Sequence, residues 1–137
     1  MDWIICFRDS PNFGLWKLFT FWRKNYGHVF AVRYDLELDL WIRVECASQR
    51  FRFDLCAHED ADLLFQEMID CTICIETRAE DNPIQMPRWL YCVSFVKHLI
   101  GVNNPLILTP YQLYCELIKK PHRVMFDKCK GVSHGNV

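Results

Sequence analysis

The sequence lacks two features that would send the chain into or across a membrane. No stretch approaches the roughly 18 apolar residues of a membrane span. The opening residues, MDWIICFRDSP, carry acid where a secretory signal carries base. We therefore expect a chain that starts at Met1, has no signal peptide or membrane span, and is cytoplasmic or associated with a virion.

An excess of charge of either sign is also missing. The 16 basic residues nearly balance the 17 acidic ones, which leaves a formal net charge of −1. Polyanions attract strongly basic proteins, so we expect no nucleic-acid partner. The 137 residues are 51% hydrophobic and 15% aromatic, which favours one domain with a full core.

Cysteine is the residue that the chain has in abundance, with eight copies. Disulfide scaffolds are mostly short, loop-rich secreted proteins, so free thiols are the simpler interpretation. The stretch CTIC at Cys71 and Cys74 has the spacing of half a zinc site, but no second CxxC or HxxxH follows it. It also lies in a run that alternates like a strand. We therefore expect neither a metal nor a cofactor.

Periodicity predicts an α+β fold with an antiparallel sheet of about five strands. Three of the runs are separated by only three residues each, which indicates a meander. A central helix that carries Cys92 and one or two further helices pack on this sheet, and residues 121–137 form an irregular tail of the single domain, 1–137. The predicted strands are 2–8, 28–34, 38–46, 50–56 and 71–78, and the predicted helices are 58–69, 88–100 and 109–120.

The stretch YCVSFVKHLIG places Cys92 in the first turns of its helix, and Gly101 is of the residue type that commonly ends a helix. A helix N-terminus and a nearby imidazole stabilise a thiolate, which is the nucleophilic form of cysteine. A buried cysteine is more often a small apolar filler. A catalytic role for Cys92 therefore requires a histidine from elsewhere and a third group that orients it.

His28 is the candidate base, because it opens a strand where its side chain can project toward a packed helix. If the hairpin from 28 to 46 turns near residue 37, His28 lies almost directly opposite positions 45 and 46. Glu45 can then accept the imidazole proton. Asp54, on the following strand, is the second choice as the orienting group. The alternative is that Glu45 is a solvated acid that pairs with Arg43 or Arg33 and adds little stability.

This order of motifs resembles the circularly permuted papain-like cysteine hydrolases, a group that includes NlpC-type peptidases and the lecithin:retinol acyltransferase family. GHVFAVRYD matches the histidine strand and YCVSFV matches the cysteine helix, over residues 26 to 118. Tyr91 stands where the family often has asparagine, and Glu45 stands where several relatives have a second histidine.

The resemblance implies a papain-like fold and a cysteine peptidase, amidase or acyltransferase with the catalytic set Cys92, His28 and Glu45. Its substrate is a peptide or isopeptide amide, a cell-wall crosslink or a lipid ester. The alternative is a papain-like scaffold without activity, for example a small phage virion component that binds an assembly partner.

Overall fold

Six strands form one antiparallel sheet in the computed structural model, which describes residues 2–9, 24–47, 50–80 and 90–128. The spatial order of the strands is β4-β3-β2-β1-β5-β6. β2, β3 and β4 are neighbours in chain order and antiparallel, as expected for a meander. The strands are β1 (Asp2–Arg8), β2 (His28–Asp35), β3 (Leu40–Ala47), β4 (Arg50–Ala57), β5 (Ile73–Arg78) and β6 (Arg123–Asp127).

The sixth strand corrects the prediction for the C-terminal region. Residues 121–137 were expected to form an irregular tail, but Arg123–Asp127 pairs with β5 along the edge of the sheet. Its run RVMFD is too short and too exposed to show a clear alternation, and the free edge of β5 supplies the backbone partners that the local sequence does not reveal. Residues 129–137 lie outside the described residues.

Three α-helices lie within the described ranges, each close to a predicted helix: α1 (Asp62–Ile69), α2 (Cys92–Ile100) and α3 (Pro110–Leu117). The helix predicted from residue 58 begins instead with a 3-10 turn at His58–Asp60. The start of α3 follows its capping signal, because the Thr109 side chain accepts a hydrogen bond from Gln112 N. None of the described helices is long and apolar enough to cross a membrane.

The sheet separates two apolar clusters. Alternate side chains of the strands point to opposite faces, and α2 and α3 cover one face while α1 packs on the other. The α2 face includes Ile5, Phe7, Val29, Ala31, Ile75, Val93, Val96 and Leu113. The α1 face includes Ile4, Cys6, Phe30, Val32, Cys71 and Cys74, with Leu64 and Met68 packed against them.

Candidate active site

Cys92 is the first residue of α2, whereas the sequence predicted a helix from residue 88 with Cys92 in its first turns. Tyr91 is the extended N-cap residue, and its backbone N–H donates to the Ser94 hydroxyl at 3.0 Å. The first backbone bond of the helix runs from Phe95 N to Tyr91 O at 2.9 Å. The amide of Cys92 precedes that bond and therefore has no acceptor within the helix. The thiol thus lies at the positive end of a helix dipole.

The far end of α2 is the predicted one. Gly101 is the C-cap residue and has a φ of 77°, in the left-handed region that glycine adopts without strain. Its backbone lies so close to the preceding segment that a Cβ atom at this position would sit 2.4 Å from Glu80 O. This close approach fixes the position of α2, and with it the position of Cys92.

His28 contacts both of the residues that were predicted to join it. It is the first residue of β2, is 9% exposed, and its side chain interacts with Cys92 and with Glu45. Nε2 of His28 lies 2.7 Å from Oε1 of Glu45. The structure therefore brings Cys92, His28 and Glu45 together.

The strand register differs slightly from the one that predicted this contact. Ala31 pairs with Val44, and continuing that register places Glu45 opposite Phe30 rather than opposite His28. Glu45 therefore approaches His28 along a diagonal of the hairpin, which is within reach of two long side chains.

The pKa of His28 is raised to about 9. Burial alone would lower it, because an apolar environment disfavours the charged imidazolium. The contacts with Cys92 and with the Glu45 carboxylate, of which the Cys92 contact is the larger, outweigh burial and raise the pKa. The interactions with Cys92 and with Glu45 therefore favour the imidazolium form of His28.

Glu45 is held as a carboxylate by positive groups. It is 5% exposed, and burial would raise its pKa, but its contact with His28 and the charges of Arg8 and Arg43 lower the pKa to about 2. Arg8 Nη2 lies 2.7 Å from Glu45 Oε1, and Arg43 pairs with the other carboxylate oxygen. Glu45 is thus ionised and fixed in orientation throughout the physiological pH range.

A second acid, Glu67 on α1, completes this network. Arg8 Nη1 lies 2.7 Å from its Oε1, and Arg43 Nη1 lies 2.6 Å from its Oε2. Two guanidinium groups therefore bridge two carboxylates, Glu45 and Glu67. Because α1 carries Glu67, a chain of ion pairs connects this helix to His28.

Arg8 and Glu67 were not predicted as part of this site, and neither was the burial of Arg43. One signal was present, since Arg43 and Glu45 are two residues apart on one strand and therefore share a face. Arg43 was expected only as a surface partner of Glu45 that adds little stability, but it is 4% exposed. Asp54, the second choice as orienting group, pairs instead with Arg52 at 2.6 Å and with Arg43 at 3.7 Å.

Two other histidines have different partners. His58 accepts a hydrogen bond from Trp41 Nε1 at 3.2 Å, and its ring stacks on the indole. His122 Nδ1 lies 2.7 Å from Lys120 O. Among the histidines with described contacts, His28 is the one that interacts with Cys92.

Comparison with known proteins finds no matching protein family, no matching curated protein and no matching solved structure. The chemistry of the site therefore has to be argued from its own geometry. That geometry joins a thiol at a helix N-terminus, an imidazole, and a buried carboxylate, which is the set of groups used in nucleophilic catalysis by cysteine.

Proposed function

We propose that this protein is a cysteine hydrolase or acyltransferase of the permuted papain-like type, which acts on an amide or ester through an acyl-enzyme. The observation that carries the proposal is that one buried imidazole, His28, interacts with both Cys92 and Glu45. A cysteine that only fills space needs neither a buried imidazole beside it nor a carboxylate behind that imidazole.

In the first step, the Cys92 thiolate attacks the carbonyl carbon of the substrate and a C–S bond forms. The carbonyl electron pair moves to oxygen, and the backbone N–H of Cys92, which has no acceptor within the helix, is the candidate donor to that oxyanion. When the tetrahedral intermediate collapses, the bond to the leaving amine or alcohol breaks, and the His28 imidazolium gives that group its proton.

In the second step, water or another acceptor attacks the thioester. Formation of the thioester removes the negative charge of the thiolate, which is one of the contributions that raise the pKa of His28. The pKa of His28 therefore falls after acylation, and the neutral ring can accept the proton of the attacking molecule. Breaking the C–S bond then restores the thiolate and the imidazolium.

Glu45 acts as a positioning residue through His28. Its carboxylate fixes the orientation of the ring and keeps the imidazolium stable while the thiolate is present. The ion pairs with Arg8 and Arg43 hold Glu45 itself in place. The substrate classes that the resemblance implies, namely peptide or isopeptide amides, cell-wall crosslinks and lipid esters, are all consistent with this chemistry.

The proposal is tested with p-nitrophenyl acetate as an activated acyl donor. We expect a burst of p-nitrophenol and one acetyl group on Cys92, detected by mass spectrometry of the rapidly quenched protein. His28→Ala should slow acylation by about 10²- to 10⁴-fold, the range for loss of a general acid or base. Glu45→Gln should cause a smaller loss of acylation rate. It should also lower the pH above which the rate falls, since that fall reports the loss of the His28 proton.

Cys115 on α3 is the matched internal control, because it is also a partly buried cysteine in a helix. Acetylation of Cys92 no faster than that of Cys115, with His28→Ala having no effect, would contradict the proposal. That result would favour a papain-like scaffold without activity.

A further inference from the structure

Three cysteine sulfurs meet on the face of the sheet that α1 covers. Cys71 lies between α1 and β5, Cys74 is on β5, and Cys6 is directly opposite Cys74 on β1. The three sulfur atoms all lie within 4.8 Å of one another, and all three residues are buried. Cys74 Sγ is 3.5 Å from Cys6 Sγ.

We propose that Cys6, Cys71 and Cys74 form a binding site for a thiophilic d10 metal cation, Zn²⁺ or Cu⁺, held by three thiolates. Zinc–thiolate bonds are about 2.3 Å long, which places sulfurs around one ion roughly 3.8–4.0 Å apart. The distances in this cluster, from 3.5 Å to at most 4.8 Å, bracket that value. Only small side-chain movements are needed to bring the three sulfurs onto one ion.

The surroundings suit a soft cation. Apolar side chains of Ile4, Phe30 and Val32 belong to the same cluster, and Met68 packs against it. Sulfur ligands in a dry site select Zn²⁺ or Cu⁺ over the hard cations that prefer oxygen. All three cysteines bind the ion as thiolates, so binding releases to solvent the protons that the thiols still carry.

Positive charge next to the cluster offsets the charge of the complex. Three thiolates with Zn²⁺ carry a net charge of −1, and with Cu⁺ a net charge of −2. The guanidinium groups of Arg8 and Arg43 both act electrostatically on the Cys71 sulfur. These are the two arginines that also hold Glu45, so the metal site and the candidate active site share their counter-charges.

The sequence alone argued against a metal because the CTIC pair had no second half. Strand pairing supplies the third ligand, since β1 and β5 are neighbours in the sheet although Cys6 and Cys74 are 68 residues apart. A bound ion would join β1, β5 and the turn that follows α1. We therefore expect a structural role, with a rise in the thermal midpoint when the metal binds.

The test is an anaerobic titration of the reduced, metal-depleted full chain with Co²⁺, as a coloured substitute for Zn²⁺, and separately with Cu⁺. We expect a sulfur-to-metal charge-transfer band that saturates at one equivalent for at least one of these ions. X-ray absorption of the loaded protein should show at least three sulfur ligands. Cys71→Ser should weaken metal binding more than tenfold. Loss of a residue that only hydrogen-bonds to a metal ligand already lowers metal affinity by about 10–100-fold.

Two variants serve as controls, Cys56→Ser on β4 and Cys92→Ala on α2, and both should bind as the unmodified protein does. Absence of a charge-transfer band with both ions overturns the proposal. Loss of binding in Cys92→Ala, or a nitrogen ligand in the absorption spectrum, also overturns it, because the metal would then sit at Cys92 and His28. If Cys71→Ser does not fold, the number of sulfur ligands that X-ray absorption finds in the protein without substitutions still tests the proposal.

Discussion

At the scale of single residues, the thiol of Cys92 differs from the others in its neighbours. It lies at the start of α2 and interacts with an imidazole whose pKa is raised to about 9. We expect limiting iodoacetamide at about pH 6, below the usual pKa of cysteine, to label Cys92 before Cys56 and Cys115. Peptide mapping after short exposure gives the order of labelling.

His28→Ala is the matched variant for this measurement, because it removes the neighbouring positive charge and leaves the helix in place. Labelling of Cys92 should then slow strongly. Cys71 is a competing anion, since the thiols of Cys6 and Cys74 lower its pKa to about 4, contrary to the general rule that burial raises the pKa of cysteine. It is fully buried, so access limits its reaction. Early labelling of Cys115 with Cys92 unmodified would show that Cys92 is a filler.

At the scale of secondary-structure elements, α1 influences the candidate active site although it packs on the face opposite α2. Glu67 neutralises part of the charge of Arg8 and Arg43, which in turn hold Glu45. Glu67→Gln leaves more uncompensated positive charge near His28, so we expect the pKa of His28 to fall. The pH at which the acetylation rate falls on the alkaline side should decrease by less than about one unit. Charges in direct contact with a group shift its pKa by about 1–3 units, and Glu67 is farther from His28 than that.

Glu116→Gln on α3 is the control for this prediction. Glu116 pairs with Lys119 on the surface at 3.0 Å, and a surface ion pair has little effect on stability or on a distant site. If Glu67→Gln and Glu116→Gln have the same pH profile, then α1 does not position the site.

The end of α2 gives a second prediction at this scale. Gly101→Ala places a methyl group at a φ of 77° and 2.4 Å from Glu80 O. The backbone conformation alone costs about 1–2 kcal/mol for a residue with a Cβ, and the collision adds to this. Urea unfolding should show a free energy of unfolding lower by at least that amount. Asn103→Ala, an exposed neighbouring position, is the control, and an equal loss there would refute the role of the close approach.

At the scale of the whole molecule, the buried ion pairs make stability depend on pH. The pKa of His28 is about 9 in the folded protein and about 6.5 when unfolded. The folded state therefore gains stability that is complete below pH 6.5 and lost as the pH rises through 9. For Glu45, with a folded pKa of about 2, the gain is complete above about pH 4.5 and lost as the pH falls through 2.

We therefore expect maximal stability between about pH 4.5 and 6.5 from these two groups. At about 1.4 kcal/mol per pKa unit, His28 contributes at most about 3 to 4 kcal/mol to the fall in stability above pH 6.5. Urea unfolding at several pH values measures this profile. His28→Asn should flatten the alkaline part relative to the unmodified protein, and parallel profiles of the two proteins would contradict the assignment of the ion pair.

Local patterns were enough to locate most elements. Alternation of apolar and polar residues predicted five of the strands, and glycine and threonine signals located the end of α2 and the start of α3. The strand at Arg123–Asp127 was missed because an edge strand depends on its neighbour more than on its own pattern. The hairpin register was wrong by one or two residues, since the turn at residues 36–39 is longer than the pattern shows.

By itself, the sequence determined the α+β class, a helix with Cys92 in its first turns, and the candidacy of His28 and Glu45, because short-range periodicity and capping are properties of neighbouring residues. Only the tertiary structure decided that Glu45 is buried between Arg8 and Arg43, that Glu67 reaches these arginines from another helix, and that Cys6 joins the CTIC pair. These contacts join residues far apart in the chain. The contacts form because strand order and helix packing bring those residues together, and no local sequence pattern determines either property.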